Sequence, residues 1–382
     1  MTVHQVTPWN RFTTVRHSTT IFSLASAVMI LASCGSGKVT ESSDNPTLER
    51  LRSAVSNGCF LYAHEDDLSY GHTWRVSPEE ALTDSISRSD VKMVCGDFPA
   101  IMGFDLGGIE LGNECNLDDV SFAFMKRAAI EHHRRGGIIT YSWHPRNPLT
   151  GGDAWDTTSS EVVKSILDGG QCHDAFMGWL SNAADFLDGL RDAQGNAIPV
   201  IFRPWHEHTG SWFWWGRELC TTEEYTALWK MTYDYLTGER GLSHMVWAYS
   251  PGAGNSEEIY MERYPGDEMV DLLGLDCYQY GSDEDFMKTL DDALTYMDRL
   301  GEEHGKVTAL TEAGFEGITE PHWWTGVLAP VLARHKASYV LTWRNAWNID
   351  THFYAAWPGS ADADDFRAFH DMGSTCFLND IR

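Results

Sequence analysis

The chain has 382 residues, 55 of them acidic and 28 basic, for a formal net charge of −27. A field of that sign repels phosphate backbones and anionic membrane surfaces, which excludes nucleic acid as a partner and favours a neutral one. With 43% hydrophobic residues and no repeat or low-complexity stretch, the composition suits one large folded domain.

At the N-terminus, Arg11 and Arg16 precede an apolar run from Ile21 to Leu31 that ends in Leu31-Ala32-Ser33-Cys34. The pattern reads as a lipoprotein signal peptide over 1–33, with Cys34 as the acylated first residue of the mature protein. Roughly 11 apolar residues cannot cross a hydrocarbon core about 30 Å thick, so no transmembrane anchor is expected. Residues 34–46 read as a flexible tether and 47–382 as a single domain. No acidic run follows Cys34 (Gly35-Ser36-Gly37-Lys38), so a periplasm-facing envelope location is expected rather than surface display. Beyond Cys34 lie Cys59, Cys95, Cys115, Cys172, Cys220, Cys277 and Cys376, without CxxC spacing. Most read as buried thiols, with one or two disulfides in an oxidising envelope compartment.

Eight short apolar runs then follow in order: Phe60 to Ala63, Val91 to Cys95, Gly137 to Tyr141, Ile198 to Phe202, Met245 to Ala248, Leu272 to Leu275, Val307 to Leu310, and Tyr339 to Thr342. Between them, helices are predicted at Phe122 to Arg134, Asp174 to Leu190, Glu223 to Leu236, Glu284 to Glu303 and Trp323 to Arg334. Uninterrupted apolar strands alternating with helices predict a parallel sheet buried on both faces, and eight such units predict an α/β (β/α)8 TIM barrel. A doubly wound open sheet is the rival, weakened because no Gly-rich phosphate loop follows the early strands.

A barrel of this kind gathers its chemistry past the C-terminal ends of its strands. There the sequence places His64-Glu65-Asp66, Ser142-Trp143-His144-Pro145, Arg203-Pro204-Trp205-His206-Glu207, Asp276-Cys277-Tyr278, Thr311-Glu312 and Trp343-Arg344-Asn345-Ala346-Trp347. Glu207 and Glu312 fall after strands four and seven, on different sides of the mouth. Two such carboxylates suit glycoside hydrolysis, one protonating the leaving oxygen while the other attacks the anomeric carbon or activates water. A carboxyl separation of about 5–5.5 Å gives retention and about 6.5–9.5 Å inversion, a choice that spacing along the chain leaves open. Arg203 and His206 read as groups that tune the glutamates, and Tyr278 as a hydroxyl that orients one of them. Trp74, Trp143, Trp205, Trp212, Trp214, Trp215, Trp343 and Trp347 bunch near the strand ends, which predicts an aromatic cleft for sugar rings.

The segment Arg203-Pro-Trp-His-Glu-His-Thr-Gly-Ser-Trp-Phe-Trp-Trp-Gly216 resembles the acid/base motif of glycoside hydrolase family 26, the β-mannanases. Ser142-Trp143-His144-Pro145, Gly274-Leu275-Asp276-Cys277-Tyr278, Thr311-Glu312 with Gly314, and Thr342-Trp343-Arg344-Asn345 are similar to the family pattern in order and spacing. The resemblance implies a retaining endo-β-1,4-mannanase that needs no metal or other cofactor, with Glu207 as acid/base and Glu312 as nucleophile. It implies that His144, His206, Trp212, Tyr278 and Trp343 line the subsite of the mannosyl unit under attack, and that Arg344 reaches a more distal sugar. The expected partners are β-mannan poly- and oligosaccharides, acted on by a lipid-anchored monomer. Thr209 departs from the Asn that many family members carry there, which touches contacts near the leaving group. Because the family also includes mixed-linkage β-glucanases and xylanases, those substrates are the alternative.

Two readings from other classes compete. His64, His144, His206 and His208 at the barrel mouth could hold a zinc ion, but on an extended segment His206 and His208 face away from Glu207. A non-catalytic glycan-binding lipoprotein would share the aromatic cleft, yet it has no use for both Glu207 and Glu312.

Overall fold

The computed structural model describes residues 45–382. The signal peptide, Cys34 and nearly all of the tether lie outside the described residues. The described chain starts with Asn45, whose side chain accepts from the Thr47 amide and caps α1 (Pro46–Ser56), with Pro46 in the first turn.

Eight parallel strands follow: β1 (Phe60–Glu65), β2 (Ile101–Asp105), β3 (Ile138–Ser142), β4 (Val200–Arg203), β5 (Met245–Tyr249), β6 (Leu272–Gln279), β7 (Val307–Phe315) and β8 (Ala337–Thr342). Each pairs with the next, and β8 pairs with β1 from Leu61↔Tyr339 to His64↔Thr342, which closes the barrel and removes the open-sheet rival. The main covering helices are α2 (Asp90–Cys95), α3 (Phe122–Arg134), α4 (His173–Asp188), α5 (Thr222–Tyr233), α6 (Asp283–His304) and α7 (Ala363–His370). Shorter turns fill the remaining connections: Glu257–Met261 between β5 and β6, and a π-helical Trp323–Leu328 running into Ala329–Leu332 between β7 and β8. Among the described residues this is a (β/α)8 barrel, as the alternation predicts.

One strand was misplaced by sequence reading. Val91 to Cys95 belongs to α2, where Ser89 caps the N-terminus by accepting from the Lys92 amide and Gly96 ends the helix at φ 91°. Val91 and Val94 are buried at helical spacing while Met93 is exposed, so capping and a period near 3.6 outweigh β-branched propensity. The second strand is Ile101–Asp105, whose Met102 and Gly103 give no β-branched signal. A Cβ at Gly103 would lie 2.0 Å from Glu65 Oε2, so a larger residue there would displace that buried carboxyl.

Alternation along the strands explains the chemistry at the mouth. Leu61, Ala63, Ile101, Ile138, Ile201, Val246, Ala248, Leu272, Val307, Ala309, Tyr339 and Leu341 form one buried cluster inside the barrel, which α1 closes from below with Leu48, Leu51 and Ala54. Continuing the same parity toward the strand C-termini reaches Glu65, Asp105, Ser142, Arg203 and Asp276. The lumen is therefore apolar at its base and charged at its top. On β7 a bulge intervenes: Leu275 pairs with Leu310 but Asp276 pairs with Glu312, so Thr311 is the extra residue. That insertion shifts the parity and aligns Glu312 with Asp276.

A disulfide joins Cys59, just before β1, to Cys376 in a two-residue strand that also pairs with β1. Cys95, Cys115, Cys172, Cys220 and Cys277 are free, Cys220 and Cys277 being the buried ones. The bridge closes a separation of 317 residues, which removes much conformational entropy from the unfolded chain. Replacing both Cys59 and Cys376 by Ala is expected to lower stability by about 2–5 kcal/mol. Denaturant unfolding with and without reductant checks this: the wild type should shift under reductant and the double variant should not.

Candidate active site

The segment after β4 leaves the sheet at Pro204 and turns sharply. Trp205 and Glu207 both sit in the left-handed region at φ 53°, a conformation that non-glycine residues hold only when their surroundings impose it. Trp205 is fixed by burial of its indole, whose Nε1–H donates to Thr232 of α5 at 3.2 Å, and by Tyr225 Oη donating to its carbonyl at 2.9 Å. The Glu207 amide donates to the Ser250 carbonyl at 2.7 Å, and the Glu207 carbonyl accepts from Gly210. The segment is thus a bolted turn, not the extended stretch expected from sequence. Its curvature sends three neighbouring side chains to three different places.

Glu207 reaches the cleft half-buried, and its Oε2 accepts from Trp212 Nε1 at 2.7 Å. Its carboxyl is held well above the usual range, first by burial and then by the charges of Glu312 and Asp276. That direction suits a group that must carry a proton in order to donate it. His206 turns inward, its Nε2 3.1 Å from His144 Nε2, and burial with the nearby Arg203 charge keeps it neutral. His208 lies buried between the Tyr225 and Tyr249 rings, 4.3 and 4.9 Å away.

Glu312 is buried on the facing wall. Its Oε2 accepts from Tyr278 Oη at 2.6 Å and its Oε1 accepts from Arg203 Nη2, while His206 Nε2 stands 3.9 Å from Oε1. Arg203 in turn donates to Asp276 at 3.0 Å, so one guanidinium holds two carboxylates. Asp276 also accepts from Ser250 and Thr311, each at 2.7 Å, and burial pushes it up to about 7 against the pull of Arg203. A guanidinium from beneath and a phenol from the side, one on each carboxylate oxygen, fix the orientation of Glu312.

The structure brings together Glu207, Glu312, Arg203, His206, His144, Tyr278 and Trp212. Trp343 borders them, its ring 5.9 Å from that of His144. Arg344 lies farther along the rim, paired with Asp118 at 3.0 Å and over the Tyr70 ring. Thr209 is tied to Gly252, accepting from its amide at 3.0 Å and donating to its carbonyl at 3.2 Å. The aromatic bunching is only partly a cleft. Trp143, Trp205, Trp214 and Trp215 are fully buried and pack on one another with centroids 5.0 to 5.6 Å apart, a core beneath the rim. Trp212 is 47% exposed, and Trp155, which sequence reading passed over, is 49% exposed. Trp155 stacks on His144 with an interplanar angle of 11°.

Sequence reading also missed Asp105, because its strand was misplaced. Asp105 accepts from His144 Nδ1 at 2.7 Å and from Ser142 Oγ at 2.6 Å. The four histidines of the zinc reading scatter: His64 binds the Thr342 carbonyl at 3.1 Å, His208 is enclosed by tyrosines, and only His144 meets His206. Among the described residues no three His, Cys, Asp or Glu side chains converge as a metal-ligand set.

Because Glu207 must be protonated to act as an acid, kcat/KM is expected to fall as pH rises through its elevated pKa, about tenfold per pH unit beyond it. Glu207→Gln, which has no proton to lose, should lack this alkaline limb. Rate profiles of both proteins on a manno-oligosaccharide, whose sugar leaving group needs the proton, make the comparison.

A closed (β/α)8 barrel with one clamped carboxylate and a second of raised proton affinity at its C-terminal mouth is a glycoside-hydrolase architecture. The profile of Glycosyl hydrolase family 26 matches residues 70–326, and the chain belongs to that family. A mannan endo-1,4-β-mannosidase from Bifidobacterium adolescentis is 31% identical over 94% of this chain, and one from Bacillus subtilis is 32% identical over 51%. The matched chain spans 38% of the first relative's length and 55% of the second's. Among solved structures, a family 26 β-mannanase from Bacteroides ovatus superposes with a TM-score of 0.83 at 46% identity, covering 88% of this chain and 96% of that one.

Proposed function

We propose that this protein is a retaining endo-β-1,4-mannanase that cleaves mannan, galactomannan or glucomannan to mannooligosaccharides by double displacement. The observation that carries the reading is the contrast between its two glutamates: Glu312 clamped by Arg203 and Tyr278, and Glu207 beside the exposed Trp212 with its proton affinity raised by burial and by the Glu312 charge. Glu207 gives its proton to the leaving oxygen while Glu312 attacks the anomeric carbon, forming a glycosyl-enzyme. Glu207, now a base, takes a proton from water, which displaces Glu312 and restores the starting state. His144, His206, Trp212, Tyr278 and Trp343 line the attacked sugar, Arg203 serves that subsite from beneath through Glu312, and Arg344 meets a more distal sugar. The relatives named as mannan endo-1,4-β-mannosidases support mannan as substrate.

Product analysis on unsubstituted mannan, galactomannan, mixed-linkage glucan and xylan tests the assignment. Internal products from mannans by wild type and none by Glu312→Ala support it; turnover of glucan or xylan alone overturns the substrate. We also propose that the enzyme works as a monomer attached through lipid at Cys34 and facing the periplasm. The Leu31-Ala32-Ser33-Cys34 sequence supports attachment, and loss of membrane fractionation in Cys34→Ser tests it.

A further inference from the structure

Behind the paired glutamates lies a second line of titratable groups that the double displacement does not use directly. Asp105 is 1% exposed and accepts from Ser142 Oγ, the Gly107 amide at 2.7 Å and His144 Nδ1. His144 Nε2 then meets His206 Nε2 at 3.1 Å, with the rings at 84°, and His206 Nε2 stands 3.9 Å from Glu312 Oε1. The line runs carboxylate, imidazole, imidazole, nucleophile.

Two nitrogens that face each other within hydrogen-bonding distance must share one proton, so one ring donates and the other accepts. If His206 donated, it would place an N–H near the nucleophile; if His144 donates, His206 presents only a lone pair. We propose that Asp105 is a positioning residue for Glu312: by holding His144 as a donor at both ring nitrogens, it makes His206 accept at Nε2 and so keeps a proton away from the nucleophile. The inference rests on the reading of Glu312 as nucleophile.

Three observations support the donor state of His144. Its Nδ1 is within 2.7 Å of a buried carboxylate that has two other donors fixing its orientation. Trp155 lies parallel to the ring with centroids 5.2 Å apart, a face that favours a cation. Although burial pulls His144 down, Asp105 and Glu312 together raise it above the ordinary histidine value. The charged groups facing His144 from neighbouring elements are Asp105 of β2, Glu312 of β7, Arg203 of β4 and Asp118 of the β2–α3 connection. Arg203 opposes the cation and the three carboxylates favour it. On the far side, His206 is buried with no hydrogen-bond partner at Nδ1, and burial, Arg203 and His144 all keep the ring neutral.

The test is long-range ¹⁵N–¹H correlation of the histidine rings in the full-length enzyme, which separates imidazolium from each neutral tautomer. In wild type at pH 6, His144 should carry protons on both nitrogens and His206 on Nδ1 alone. In Asp105→Asn, His144 should become neutral and His206 should move its proton to Nε2. That variant should lose roughly 10- to 100-fold in kcat, a loss of the size seen when a carboxylate orienting a metal-bound histidine is removed, with KM changed by less than about threefold. A neutral His144 in wild type, or an unchanged His206 tautomer in Asp105→Asn, overturns the proposal. Should Asp105→Asn not fold, the wild-type spectrum alone decides. Because the spectrum needs no substrate, failure of the mannanase reading is seen separately, in the activity assays.

Discussion

Glu312→Ala is expected to lower kcat/KM on mannan by about 10⁴-fold or more while the protein stays folded. The size follows from the role: without a nucleophile the double displacement has no first step, and a loss of 10⁴ corresponds to about 5.5 kcal/mol of transition-state stabilisation. The fold should survive because Arg203 keeps Asp276 as its partner at 3.0 Å, and no buried cation is left alone. The substitution also removes one of two carboxylates crowded on a single guanidinium, so little stability should be lost. Turnover from initial rates, with a thermal melt alongside, measures both. Residual activity above about 1% of wild type would show that Glu312 does not attack the sugar.

Glu207→Ala should behave differently. Loss of the acid is expected to cost about 10²–10⁴-fold on mannan, whose leaving group needs a proton, but far less on a dinitrophenyl glycoside, whose leaving group does not. On that activated substrate the glycosyl-enzyme forms and then waits, because no base remains to activate water. Added azide needs no base, so it should restore turnover and yield a β-mannosyl azide. An α-azide from this variant, or equal losses on both substrates, would contradict the assignment of Glu207. The contact between Trp212 Nε1 and Glu207 Oε2 adds that Trp212 should matter more to leaving-group binding than to the clamp on Glu312.

Most of the barrel was legible because a strand buried on both faces reads as an unbroken apolar run. The runs Gly137 to Tyr141, Met245 to Ala248 and Val307 to Leu310 announced β3, β5 and β7 in that way. β2 did not, since Gly103, packed closely against the Glu65 side chain, sits beside Met102 and breaks the run. The more β-branched Val91 to Cys95 took its place on paper, although Ser89 and Gly96 are the signals of a short helix. The cost of that error was Asp105, the carboxylate that fixes His144.

Glu207 and Glu312 were legible as polar residues just past apolar runs, but what makes them different was not. The bulge at Thr311 that sets the facing of Glu312 leaves no mark in composition. The left-handed turns at Trp205 and Glu207 fall on residues that rarely adopt them, so the extended reading of the segment failed. Tryptophan count could not separate Trp214 and Trp215, which build the wall, from Trp212, which faces the cleft. Burial depends on long-range packing, and no short window of sequence contains it.

The measurement that bears most directly on the central claim is the anomeric configuration of the first product. Mannopentaose should be digested with wild-type enzyme and followed by ¹H NMR before mutarotation sets in. If Glu312 attacks and Glu207 then activates water, the new reducing end appears first as the β-anomer and only later equilibrates to α. Initial release of the α-anomer would mean a single displacement and would contradict the account.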